Sequence, residues 1–279
     1  MGVRIITDST CDLDFKTQQE LNIEVIPLSV IFEDGIYRDG VEISKEAFYE
    51  KQASVKVLPK TAQANPAEFC DVFEENREDE IVGIFLSSKL SGTFQSACIA
   101  REMLDGRQIH LVDSLNVTVG LGLLVRQAAA MREQGLSARE IAARIESLKR
   151  RVRFVAFVNT LKYLKMGGRI PASTAVFGTM LGISPVVSIE NGKLESIGKV
   201  KGKQKILEFT TSFVNHHLID YQYPVAFAHS HALETAAAYR EKCCRAFHIE
   251  NSVLDELGAV LGTHAGPGCY GMAYIERMK

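Results

Sequence analysis

The chain has 279 residues, of which 24% are charged and 46% hydrophobic, with a formal net charge of −2. That length buries a sizeable core in one large domain or two smaller ones, and the near-neutral balance gives neither nucleic acid nor an anionic membrane a general electrostatic hold. No apolar run approaches the roughly 18 residues of a membrane span, and Met1-Gly2-Val3-Arg4 runs straight into a polar turn without a signal peptide, so a cytoplasmic protein is expected.

Short apolar strands alternate with amphipathic helices through the first half. The pattern predicts a strand over Val3–Thr7, a helix over Asp14–Leu21, and a strand over Glu24–Phe32 that turns at Asp34-Gly35. Ser44 is a predicted N-cap for a helix through Lys51. Asn65-Pro66-Ala67-Glu68 has the cap, first-turn proline and acidic third position of a helix start. Strand Ile81–Leu86, helix Thr93–Leu104, strand Ile109–Val112 and helix Val117–Gln134 follow, and Ser137 to Glu140 is a capping box for a helix to about Arg150. Single helices between strands imply right-handed crossovers and a largely parallel sheet.

The second half reads differently. A strand is predicted over Arg153–Val158, a short helix around Leu161 to Lys165 ending at Gly167-Gly168, and another helix over Ser173–Leu181. Asn191-Gly192 marks a hairpin between Pro185–Ile189 and Lys193–Ile197. Helix Gln204–His217, strand Val225–His229, helix Leu233–Phe247, and strands at Ser252–Leu254, Gly258–Gly262 and Gly271–Ile275 complete the chain. Two α/β domains with a boundary between about 150 and 160 are expected, with a ligand cleft between them.

The polar turn Ser87-Ser88-Lys89-Leu90-Ser91-Gly92-Thr93 joins a strand to a helix. There, hydroxyls, backbone N–H groups and the positive end of a helix dipole converge on a site for an anion or carboxylate. A helix cap explains the same serines. Asp8-Ser9-Thr10 and Asp113-Ser114 repeat the strand-to-turn logic, which places all three turns on the carboxyl edge of a parallel sheet. Asp8 and Asp113 serve there either as structural acceptors or as orienting groups for a catalytic histidine. Thr61 stands in a loop ahead of a helix whose cap does not need it. His264, beside Gly266-Pro267-Gly268, is either a hydrogen-bonded turn residue or a ligand contact. His229-Ser230-His231 lacks a third metal ligand at suitable spacing. Cys11, Cys70, Cys98, Cys243, Cys244 and Cys269 form no Cys-x-x-Cys pair, so reduced thiols are expected, without a metal or a disulfide framework. Phosphate-loop, dinucleotide and nucleophile-elbow motifs are absent, and Gly120 and Gly122 read as helix-packing positions.

Taken in order, Thr7-Asp8-Ser9-Thr10, Ser87-Ser88-x-x-Ser91-Gly92-Thr93, Asp113-Ser114, Leu161 to Ile170 and Gly262-Thr263-His264-Ala265-Gly266-Pro267-Gly268 are similar to the DegV family of bacterial lipid-binding proteins. That family includes the fatty-acid-binding subunits of fatty acid kinase. The resemblance covers essentially the whole chain and implies an α/β fold of two domains. An N-terminal largely parallel sheet with flanking helices (1–155) would carry the headgroup loops. A C-terminal mixed-sheet α/β domain (156–279) would carry the acyl pocket and the His-Ala-Gly-Pro-Gly turn. The implied ligand is one long-chain fatty acid such as palmitate, with no other cofactor. The implied partner is an ATP-dependent fatty acid kinase subunit, with transient membrane contact but no span, in a protein that is not itself an enzyme. By motif, Thr61, Ser91 and His264 correspond to carboxylate contacts, supported by backbone donors at Gly92 and Thr93. Arg169 corresponds to an arginine near the surface that is implicated in engaging the kinase, and Lys201 and Lys203 lie in a basic stretch of the same face. Where the family usually has Thr-Ser-Gln-Pro-Ser, this chain has Thr61-Ala62-Gln63-Ala64-Asn65. Two other readings stay open: a serine hydrolase using Ser91 or Ser114 with His264 and Asp8 or Asp113, and a phosphate or phosphosugar binder. An apolar tunnel beside Ser91 would separate the second from a lipid carrier.

Overall fold

The computed structural model describes residues 2–171 and 182–278; the helix expected over 173–181 lies outside the described residues. β1 (Val3–Asp8) leads through a 3-10 turn into α1 (Phe15–Glu20), and β2 (Ile23–Ile26), β3 (Ser29–Phe32) and β4 (Gly35–Arg38) follow. Next come α2 (Lys45–Ser54), β5 (Lys60–Ala62), α3 (Pro66–Glu75), β6 (Glu80–Phe85), α4 (Thr93–Met103), β7 (Ile109–Asp113), α5 (Thr118–Glu133) and α6 (Ala138–Leu148). The remainder runs β8 (Val152–Phe157), α7 (Lys162–Met166), β9 (Ile183–Glu190), β10 (Lys193–Lys201), α8 (Lys203–His216) and β11 (Val225–His229). It closes with α9 (Leu233–Phe247), β12 (Ser252–Glu256), α10 (Ala259–Ala265) and β13 (Tyr270–Ile275).

Local chemistry accounts for many of these bounds. Asp14 and Ser44 accept from Thr17 and Ala47 N–H and so cap α1 and α2. Asn65 with Glu68, and Ser137 with Glu140, form the two expected capping boxes. On α6 the buried residues Ala138, Ile141, Ile145 and Leu148 repeat at helical spacing against the core. Asn191 and Gly192 both have positive φ, 51° and 82°, as a two-residue hairpin turn requires, and Glu190 pairs with Lys193 across it.

Three sheets form among the described residues. The first is parallel throughout, in the order β2-β1-β6-β7; its carboxyl edge gathers the turns after β1, β6 and β7, as expected. The second is mixed, in the order β10-β9-β8-β13-β11-β12, with β11 and β12 its parallel pair. A third, β4-β3-β5, is small and antiparallel. The predicted strand over Glu24–Phe32 is therefore two strands in different sheets, because Pro27 has no N–H to continue a ladder. Thr61 lies in β5 rather than in a loop. Gly258–Gly262, expected as a strand, forms most of α10. α5 is buried along most of its length, and a Cβ at Gly122 would sit 2.8 Å from the Cys11 carbonyl oxygen, so this glycine permits the close packing read from the sequence.

Candidate functional site

The turn after β6 is built from the inside outward. Asp8, at the end of the neighbouring β1, accepts Leu86 N–H at 2.8 Å and both the N–H and the hydroxyl of Thr10. Ser87 is buried and donates its hydroxyl to Gly192 O at 2.7 Å, which ties the turn to the β9–β10 hairpin. Asp113 accepts Ser88 and Leu115 N–H, both at 3.1 Å. Ser91 is the serine of this turn that faces the cavity: its Oγ lies 2.9 Å from Thr93 Oγ1 and accepts Thr93 N–H at 3.3 Å. Gly92 lies so close to Gln63 that a Cβ there would approach Gln63 Oε1 to 2.2 Å. Gln63 in turn donates to Ser96 Oγ at 2.9 Å.

From the edge strand β5, Thr61 presents its Oγ1 at 2.9 Å from His264 Nε2, at the far end of α10. Thr61, Ser91, Gly92, His264 and Arg169 line one cavity of about 340 Å³. Its other walls are mainly aliphatic, including Leu86, Val158, Leu164, Val187, Leu194 and Leu261, with Phe154 among them. A few polar groups in a largely apolar enclosure is the usual character of a small-molecule site. The aliphatic space beside Ser91 suits a lipid tail and argues against a phosphosugar.

Burial first, and the Arg169 guanidinium second, push the His264 imidazole down to about 4. The ring is therefore neutral at neutral pH, and its Nδ1 is buried without a hydrogen-bond partner among the described residues. One ring nitrogen engages Thr61, and the tautomer that Thr61 selects decides whether His264 donates or accepts toward a ligand.

Each expected residue can now be placed. Thr61, Ser91, Gly92 and His264 share the cavity, while Thr93 is buried behind Ser91 and turns its N–H onto it. Arg169, expected near the surface, is half-buried on the cavity wall and donates to Leu90 O at 3.2 Å and to Gly167 O. The reason is the tight turn after α7, in which Arg169 N–H bonds back to Leu164 O at 2.9 Å. Leu90, Arg169 and Leu194 also border an adjoining recess that contains Lys89 and Lys193. Lys201 is exposed on β10 and does not line the cavity, and Lys203 is the first residue of α8.

A hydrolase triad does not assemble. His264 meets Thr61 rather than a serine, Ser114 donates to Asn116 O, and Asp8 and Asp113 accept backbone N–H groups. His231 stacks on Tyr49, and among the described residues no group of three or more His, Cys, Asp or Glu is arranged to hold a metal ion. The six cysteines are not joined in disulfides. Sequence reasoning missed Gln63, which packs on Gly92, and Asp12 and Asp39, which hold the start of α10. The acids gave no signal because the α10 amides they hold lie more than 200 residues away.

A family model described as an uncharacterised protein of the DegV family matches residues 2–277. A DegV domain-containing protein of Caldanaerobacter subterraneus subsp. tengcongensis is 34% identical over 278 residues, 99% of each chain. Among solved structures, a DegV family protein from Thermus thermophilus described by its fatty acid binding superposes with a TM-score of 0.89 at 33% identity, covering 99% of this chain and 100% of that one. DegV from Bacillus subtilis, described as a fatty acid binding protein, gives 0.88 at 28% identity with the same coverage. A stearic-acid-binding protein from Eubacterium ventriosum gives 0.88 at 26%, covering 99% of this chain and 98% of that one. Because the family model spans residues 2–277 and a relative is 34% identical over 99% of the chain, the chain belongs to the DegV family.

Proposed function

We propose that this chain binds one long-chain fatty acid in the cavity, with the carboxylate near Thr61, Ser91 and His264 and the tail among the aliphatic walls. The observation that carries this reading is an aliphatic enclosure whose uncharged hydrogen-bonding side chains include a threonine and a histidine in mutual contact. The fatty-acid-binding proteins of the same fold from Thermus thermophilus and Bacillus subtilis support it. In this reading residues 1–155 contribute Thr61 and Ser91, and residues 156–279 contribute His264, Arg169 and most of the tail's surroundings.

A carboxylate removed from water must receive several hydrogen bonds. Thr61 and Ser91 supply them without neutralising its charge, while Arg169 is turned onto the carbonyls of Leu90 and Gly167. The oxygen thus keeps its nucleophilic character. The tail provides the affinity: at about 0.8 kcal/mol per buried CH₂, a palmitoyl chain gains on the order of 10 kcal/mol before the costs of association.

The protein would act as a carrier in the cytoplasm rather than as an enzyme. It would hold the carboxylate for a separate ATP-dependent kinase, whose γ-phosphoryl group the carboxylate oxygen attacks as ADP leaves. Arg169, Lys201 and Lys203 are the residues we assign to that encounter. Among the described residues no helix is long and apolar enough to cross a membrane. Mass spectrometry of gently purified, then denatured protein tests the binding. A fatty acid in near-stoichiometric amount is expected, and protein that is lipid-free and takes up no fatty acid in solution overturns the reading.

A further inference from the structure

α10 carries His264 but has no side-chain cap of its own. Its first N–H groups are held by carboxylates from the beginning of the chain. Gly258 donates to Asp12 Oδ1 at 2.8 Å, Ala259 to Asp39 Oδ1 at 2.8 Å, and Val260 to Asp39 Oδ2 at 3.3 Å. Both acids are buried. Asp12 is fixed independently, because its other oxygen accepts the Thr118 hydroxyl at 2.6 Å.

Asp39 and Thr61 belong to one rigid unit. Asp39 directly follows β4 and donates its N–H to Leu28 O at 2.8 Å, Thr61 lies in β5, and β3 is hydrogen-bonded to both strands. The small sheet therefore grips α10 at two points, by Asp39 at its N-terminus and by Thr61 at its C-terminus. A helix of seven residues is about 10 Å long. Over that length a tilt of about 5° displaces the far end by roughly 1 Å, enough to break a hydrogen bond of normal length.

We propose that Asp39 is a positioning residue for the headgroup: by fixing the start of α10 to the sheet that carries Thr61, it sets where the His264 imidazole meets Thr61. The consequence for affinity rests on the fatty acid reading of the cavity; the geometric claim does not.

The test uses Asp39→Ala alone and combined with Gly258→Ser. Gly258 is in an extended conformation, and a Cβ there would lie 2.9 Å from Asp39 Oδ2, so a serine fits once the carboxylate is gone. Its hydroxyl then caps α10 locally without rebuilding the link to the sheet. Asp39→Ala is expected to weaken palmitate binding about tenfold and to shift the His264 Nε2 resonance in ¹⁵N spectra of delipidated protein. The double variant is expected to recover thermal stability while affinity and resonance stay altered. Asp39→Asn, which keeps one acceptor oxygen, is expected to fall between and serves if Asp39→Ala does not fold. A double variant that regains both affinity and the parental resonance overturns the proposal, because Asp39 would then be only a cap; so does an unchanged resonance in Asp39→Ala or Asp39→Asn. If the parent binds no palmitate, the fatty acid reading fails, and the His264 resonance still decides the role of Asp39.

Discussion

His264 combines three properties that bear on one another: its Nε2 faces Thr61, its Nδ1 is buried, and burial with the Arg169 charge pushes its pKa down to about 4. In the unfolded chain a histidine titrates near 6.5, so between about pH 6.5 and about pH 4 the unfolded state binds the extra proton. Folding stability tied to this residue is present above about 6.5 and is lost as pH falls. Asp8 and Asp12, which burial pushes up to about 6 and about 7, act with the opposite sign: the folded state holds their protons, and that contribution is lost as pH rises through those values. Comparison with a His264→Gln variant cancels the aspartates. Urea unfolding between about pH 6.5 and about pH 5 should show the parent losing about 1.5 kcal/mol more than the variant; equal losses would mean that the ring is not held neutral. Ser91 was legible in the sequence because it precedes Gly92 in a polar turn, and His264 because Gly262 and Gly266 lie two residues to either side of it. Asp39 was not, since its partners are amides of Ala259 and Val260 and nothing in Arg38-Asp39-Gly40 announces them.

The elements most readable in sequence were those whose ends are set locally. α3 is an example, because Asn65 accepts Ala67 and Glu68 N–H while Glu68 returns the bond to Asn65 N–H. Asn65→Ala should lower the unfolding free energy by about 1 kcal/mol, read from denaturant titration. The loss should leave bound lipid unchanged, since Asn65 does not line the cavity. One element read wrongly was α10. Its run Ala259-Val260-Leu261 is short and apolar, a pattern that suits a strand as well as a buried helix. What decides is the pair of distant carboxylates at its start and the Thr263 hydroxyl bonded to Ala259 O at 2.9 Å. The third sheet was hidden for a related reason: β3 continues the apolar pattern of β2, and only the proline between them separates two ladders.

Across the whole molecule, the cavity draws walls from both halves of the chain, and Arg169 stands where it meets the adjoining recess. Under the proposed function, Arg169→Ala should leave fatty acid content near that of the parent and reduce phosphorylation by the partner kinase at least tenfold. Loss of the lipid instead would make Arg169 a headgroup contact. The general plan, a parallel sheet followed by a mixed one, was accessible from the alternation of strands and helices. Cavity shape was not, because it depends on how sheets from distant segments face each other. The bond from Ser87 to Gly192 carries a practical lesson for anyone placing a fluorophore or an affinity tag. Hairpin tips usually tolerate insertions, yet here Gly192 O is held by the Ser87 hydroxyl, and a Cβ at Gly192 would meet that oxygen at 2.6 Å. An insert there would pull apart the seam between the halves, whereas the turns at Gly106 and Gly135, where a Cβ would meet nothing within 4 Å, can carry a reporter without disturbing the binding chamber.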